Sequence, residues 1–151
     1  KGAAKRLELV HRGNTFNFYK DFAHSPSKLK ATAAAVKQQF KDRYIVACME
    51  LHTFSSLTEE FLNEYHGAMD TADEALVYYN PHTIAHKKLK PITEEQVLKA
   101  FARKDLKVFT DSNAVTDYLK SKHWKKSVLL MMSSGNFDGV DFSALAQSLN
   151  E

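Results

Sequence analysis

Three short, unbroken apolar runs place the tightest limit on the fold: Tyr44-Ile-Val-Ala-Cys-Met49, Ala75-Leu-Val-Tyr-Tyr79 and Val128-Leu-Leu-Met-Met132. They do not alternate with polar residues, and each is bounded by polar or turn-forming ones. Such runs predict strands covered on both faces, and sheets of that kind are parallel, with helices packed above and below. A polar segment and then a stretch of helical periodicity follow each run, which is the alternation of an α/β domain. Leu106-Lys-Val-Phe109 is a shorter strand candidate of the same kind.

The start of the chain has another rhythm. Arg6-Leu-Glu-Leu-Val10 and Thr15-Phe-Asn-Phe-Tyr19 alternate apolar and polar residues with the period of half-buried strands, and Arg12-Gly-Asn14 supplies turn residues between them. We expect a hairpin. The second strand runs into Lys20-Asp-Phe-Ala-His-Ser-Pro-Ser27, where a helix over 26–40 begins. Ser25 is placed to cap it, Pro26 suits the first helical position, and Leu29, Ala33, Val36 and Phe40 recur at helical spacing. A polar strand-to-helix turn lies at the carboxyl end of a strand, where open α/β sheets bind ligands, and it presents N–H groups to an anion. Asp21 and His24 are therefore candidate site residues, although the same pattern also describes an ordinary turn with a solvent-facing histidine. Lys28, a cation in the first helical turn, opposes the helix dipole unless an anion lies close.

Further helix starts are marked by capping pairs. Ser56 with Glu59 precedes a helix carrying Leu57, Phe61, Leu62, Tyr65 and Met69, and Thr93 with Gln96 precedes one carrying Val97, Leu98 and Phe101. Asp111 or Ser112 caps a helix with Val115 and Leu119, and Asp141 caps a last one with Phe142, Leu145 and Leu149. The segment 80–91, with two prolines and two histidines, reads as a long irregular loop. The sum is a hairpin followed by β/α units, with helices on both faces of a mostly parallel sheet.

The loops expected at the carboxyl ends of the strands, 21–25, 50–56, 80–83 and 133–139, are all polar. In Ser133-Ser-Gly-Asn-Phe-Asp-Gly139 the small residues allow close backbone approach to a ligand or make a flexible turn. Glu50 and His52 form an acid/base pair or line a pocket. His82 and His86 have metal-ligand spacing, but no cysteine or carboxylate completes a set, so no metal site is expected. Neither a G-x-S-x-G elbow nor a phosphate-gripping G-x-x-x-x-G-K-[ST] loop is present.

A chain of 151 residues is expected to form one domain. Its single cysteine, Cys48, lies inside an apolar run and reads as a buried small hydrophobe, which fits a reducing compartment. The net charge of +3 and the scattered lysines give nucleic-acid binding no support, and no apolar run approaches the length of a membrane span. The opening Lys1-Gly-Ala-Ala-Lys5 lacks an initiator methionine, and we expect residues 1–151 to be one domain of a longer polypeptide.

Arg6-Leu-Glu8 followed by Asp21-Phe-Ala-His-Ser-Pro26 resembles the opening of the carboxyl-terminal domain of the Mur ligases, whose pattern is R-x-E and then D-[YF]-A-H-x-P. Met132-Ser-Ser-Gly-Asn-Phe-Asp-Gly139 is similar to the M-S-N-G-G-F-G-G of one branch, the murein peptide ligases. The resemblance spans essentially the whole chain. It implies a Rossmann-like three-layer domain that closes over a nucleotide held by a central ATPase domain, with a further domain for the UDP-sugar. The implied reaction is amide formation: ATP phosphorylates a carboxylate of UDP-N-acetylmuramate, and an amino acid or recycled tripeptide attacks the acyl phosphate. Implied cofactors are ATP with Mg2+, the metal held mainly by the central domain; the location is bacterial cytoplasm, and the domain alone is expected to be inactive.

By the same resemblance Arg6 reaches the nucleotide phosphates, Asp21 contacts the ribose, and His24 lines the nucleotide side. Ser133, Ser134, Gly135, Asn136 and Phe137 face the incoming amine substrate. Glu50-Leu-His-Thr-Phe-Ser-Ser56 stands where alanine-adding members carry Q-P-H-R-Y-T-R and tripeptide-adding members E-P-R-S-N-T. His52 follows the first pattern, as a substrate residue, and Glu50 the second; the arginine of both is missing, and Asn136 replaces a glycine. A stand-alone nucleotide- or peptide-binding module of the same fold is the alternative.

Overall fold

The computed structural model describes residues 7–53 and 55–151; the expectation for Arg6 lies outside them. A mixed sheet is built from β1 (Glu8–Arg12), β2 (Phe16–Asp21), β3 (Tyr44–Leu51), β4 (Glu74–Tyr79), β5 (Lys107–Phe109) and β6 (Ser127–Met132). Their order is β1-β2-β6-β3-β4-β5. Only β1 runs antiparallel; it forms the expected hairpin with β2, with a bulge between Leu9 and His11.

Apart from the exposed Tyr44 at the head of the first, the apolar runs are buried on both faces, as their lack of alternation requires. Ile45, Ala47, Met49, Val77 and Leu130 pack under α1 (Pro26–Gln39), α2 (Glu59–Leu62), α3 (Pro81–His86) and α4 (Glu94–Phe101). Val46, Cys48, Leu76 and Leu129 pack under α5 (Ser112–Lys120) and α6 (Phe142–Ser148). The result is three layers, each fully buried aliphatic side chain contributing about 1.5–3 kcal/mol. Cys48 is fully buried, and burial together with the Glu50 carboxylate pushes its thiol up, away from nucleophilic use.

Local signals hold at several starts. Thr93 and Gln96 close a reciprocal capping box, and Asp111 and Asp141 each accept a backbone N–H at the head of their helices. Pro26 opens α1; Ser25 stands at the cap position with extended backbone, but its side chain makes no capping bond.

Three expectations are corrected. The strand with Asn17 is buried on both sides, because β6 pairs along it and Asn17 accepts a hydrogen bond from Arg43. The helix expected over 57–69 is broken into a 3-10 turn at Ser55–Leu57, the short α2 and a second 3-10 turn at Asn63–Tyr65. Ser56 is spent on Thr53, donating its hydroxyl to the carbonyl at 2.9 Å, while Glu59 accepts from Gln96 at 2.9 Å, so the Ser56–Glu59 box does not form. Tyr65 anchors the break: its ring stacks on Phe101 and its hydroxyl donates to the carbonyl of His24 at 2.6 Å. Within 80–91, the run expected to be irregular, Asn80 caps α3 by accepting from the His82 N–H at 2.8 Å, and buried Ile84 holds that helix to the core. No helix among the described residues is long and apolar enough to cross a membrane.

Two acidic residues at the start of β4 tie the helices to the sheet. Asp73 accepts from the Ile45 N–H at 2.8 Å and from Lys37 at 2.9 Å. Glu74 accepts from Lys122 at 2.8 Å, from Tyr44 at 3.1 Å and from Tyr118. Burial alone would raise both carboxyls, but these donors outweigh it and hold both below their ordinary values of 3.8 and 4.5. Stability from a depressed carboxyl is fully present above its unfolded value and is lost as pH falls through the folded one. Urea denaturation of the chain should therefore show a midpoint that drops between pH 6 and pH 3 (roughly the span of carboxylate titration). Glu74→Gln should lower the pH 6 midpoint and narrow that drop; an unchanged drop would remove Glu74 from the acid response.

Candidate functional site

The strand register brings the polar loops together. β6 lies between β2 and β3, with Met132 opposite both Asp21 and Met49. The next residue, Ser133, therefore emerges between the ends of both neighbours: its N–H donates to the Asp21 carbonyl at 3.0 Å and its hydroxyl to Glu50 Oε1 at 2.6 Å. From β3 the chain moves outward through β4 and β5, then returns to the other side of β3 with β6. The crevice between β3 and β6 is thus a topological switch point, the usual ligand position of open α/β sheets.

The loop after β6 is held rather than flexible. Glu50, 2% exposed, accepts at the same Oε1 from the Phe137 N–H at 2.8 Å. Ser133 Oγ accepts from the Gly135 N–H at 2.7 Å, and Asn136 Oδ1 from the Gly139 N–H at 2.9 Å. Phe137 and Asp138 both adopt left-handed backbone, with φ of 56° and 59°. Such strain persists only where surroundings impose it. Phe137 is buried against Tyr78 and Phe142, and Asp138 accepts from the Tyr78 hydroxyl and from Asn80 Nδ2 at 3.0 Å. Burial and then the Asp138 carboxylate push the Tyr78 phenol up.

Asp21 shares one cleft with Ser133, Gly135, Asn136 and Phe137, whereas His24 and His52 lie outside it. Asp21 lines a cleft of about 220 Å3 that also touches Lys20, Phe22, Ser133, Asn136 and Phe142. Asp21 is 4% exposed, and both carboxylate oxygens are buried without a hydrogen-bond partner among the described residues. His24 does not line this cleft: its Nδ1 lies 3.1 Å from the Phe22 carbonyl and its ring meets the Phe22 ring edge-on at 5.4 Å. On the other rim His52 Nδ1 stands 3.6 Å from Glu50 Oε2. Its ring covers Gly135, where a Cβ would come within 3.1 Å of it. Ser134 is half-buried beside these residues, while Gly135 and Asn136 are exposed.

Glu50 was named from sequence as half of an acid/base pair or a pocket residue but not as the anchor of the loop after β6, and Tyr78 and Asp138 were not singled out. A carboxylate ending an otherwise apolar strand was the available signal for Glu50. His82 and His86 share the short α3 and are exposed, and no group of three metal-ligating side chains converges among the described residues.

A family model described as Mur ligase, glutamate ligase domain, matches residues 5–135. The chain belongs to that family. Among its relatives is a UDP-N-acetylmuramate–L-alanine ligase of Caldicellulosiruptor bescii, 34% identical over 97 residues that make up 64% of this chain and 21% of the relative. Another of that name, from Sulfurihydrogenibium, is 28% identical over 153 residues, 100% of this chain and 33% of the relative. The chain thus spans at most about a third of the length of these curated relatives. A murein peptide ligase of Psychrobacter arcticus has the same fold, with a TM-score of 0.73 at 20% identity over 95% of this chain and 29% of that one. The Mur ligase domain fold carries the hairpin and parallel sheet described above.

In this Mur ligase domain the left-handed Asp138 depends on its two donors. Asp138→Ala should cost the loop about 1 kcal/mol and speed amide exchange at Phe137 about fivefold, leaving the β3 amides unchanged. Unchanged exchange at Phe137 would mean that Glu50 alone holds the loop.

Proposed function

We propose that this chain is the carboxyl-terminal closing domain of a longer, ATP-dependent amide ligase. The complete enzyme joins an amino acid or a recycled tripeptide to UDP-N-acetylmuramate in the bacterial cytoplasm, for peptidoglycan synthesis or recycling. Family membership supports the reading, and one observation of this chain carries it: the buried Asp21 carboxylate, without a hydrogen-bond partner among the described residues, in the cleft at the end of β2. A carboxylate withdrawn from water without donors is costly, and the paired hydroxyls of a ribose supply two donors of the right kind.

In this reading Asp21 orients the nucleoside, with His24 supporting its loop from behind Phe22 and Arg6 reaching the phosphates. His52, Ser133, Ser134, Gly135, Asn136 and Phe137 form the wall toward the incoming amine. ATP with Mg2+ activates the acceptor carboxylate as an acyl phosphate, with the metal held mainly by the central domain. This chain supplies orientation and excludes water from the acyl phosphate when the domain closes. The isolated domain is accordingly inactive.

The polypeptide extended through the central and UDP-sugar domains should release ADP with UDP-N-acetylmuramate and either L-alanine or the L-Ala-γ-D-Glu-diaminopimelate tripeptide. The productive amine identifies the branch, and release with neither would withdraw the ligase reading. In that enzyme Asp21→Ala should raise KM for ATP about tenfold, the value of one or two hydrogen bonds to a charged group, without lowering the thermal midpoint of the nucleotide-free protein. An unaltered KM would remove Asp21 from the nucleotide site.

A further inference from the structure

We propose that Glu50 is a positioning residue for the amine substrate, holding the 133–137 loop and the His52 ring in a single arrangement from beneath the crevice. The inference rests on the proposed function for its assignment of that wall to the amine.

Alternation along β3 turns Glu50 toward the same face as Val46 and Cys48, which are fully buried in the apolar layer under α5 and α6. A carboxylate there is expensive, and an apolar side chain would complete the strand at lower cost. The cost is offset by donors that, among the described residues, come only from the loop after β6: the Ser133 hydroxyl at 2.6 Å and the Phe137 N–H at 2.8 Å, both on Oε1. No lysine or arginine among the described residues pairs with it; the ionisable group within reach is His52, 3.6 Å from Oε2. The two oxygens therefore face different walls of the switch point, one toward the β6 loop and one toward the segment after β3.

Gly135 completes the arrangement. Its Cα lies under the His52 ring, and a Cβ would sit 3.1 Å from the ring and 3.4 Å from Glu50 Oε1. Its φ is not left-handed, so the backbone would accept alanine and only this crowding opposes it. Loop position and ring position are thus linked through one buried carboxylate. Glu50 itself, 2% exposed beneath the loop, acts through these groups.

The test uses the complete enzyme with whichever amine the wild type turns over. Glu50→Gln retains an acceptor oxygen for Ser133 and Phe137 but removes the charge facing His52; Gly135→Ala retains the charge and displaces the ring. Both should raise KM for the amine about tenfold and KM for ATP by less, since Ser133, Gly135, Asn136 and Phe137 also line the cleft that holds Asp21. Glu50→Ala should also speed deuterium uptake in peptides covering 133–137, with no change in those covering β4. Wild-type KM for the amine in both Glu50→Gln and Gly135→Ala, or an equal rise in KM for ATP, would overturn the positioning role. So would unchanged uptake in Glu50→Ala, a readout independent of turnover. Absence of ADP release by the wild type would instead count against the ligase reading.

Discussion

Parallel pairing of β6 between β2 and β3 is the constraint on which the candidate site depends. One strand sets Met132 against Asp21 on one side and Met49 on the other, so the residues that follow leave the sheet at the same height. Ser133 bonds both neighbours because the register leaves it there. A slip of one residue would turn every side chain of β6 to the opposite face, exchanging the contents of the two apolar layers. The register is therefore enforced by core packing, and the site inherits that rigidity.

Four buried or half-buried carboxylates illustrate how this domain spends polar groups. Asp73 and Glu74, at the amino end of the sheet, are surrounded by donors from α1, α5 and the strand beside them, and they hold the scaffold together. Glu50, at the carboxyl end, is bonded by a loop and not by a core element. Asp21, two strands away, has no donor among the described residues. Satisfied carboxylates rigidify a structure, whereas an unsatisfied one marks a place where a ligand can lower the free energy. The carboxylates thus run from fully bonded at the amino end of the sheet to unbonded, among the described residues, at its carboxyl end.

Much of the fold was legible in the sequence because it rests on local rules. The unbroken runs beginning at Tyr44, Ala75 and Val128 can only be strands covered twice, and the Thr93, Asp111 and Asp141 caps act within a few residues of themselves. What escaped was decided by distant partners. Asn17 looked solvent-facing until Arg43 and β6 were brought to it, and Ser56 looked like a cap until Thr53 claimed it. Asn80 made a helix from a segment whose prolines argued for a loop. At the candidate site, the strand-to-helix turn pointed to Asp21, which lines the cleft, and to His24, which does not. The role of Glu50 was hidden, since nothing local tells whether a carboxylate at a strand end faces water or the backbone of residue 137.

The most direct measurement is a crystal structure of the complete enzyme with ADP bound and the domain closed. The account predicts a ribose hydroxyl within about 3 Å of the Asp21 carboxylate, with the 133–137 loop still bonded to Glu50. A nucleotide bound with both Asp21 oxygens left unpartnered would contradict it.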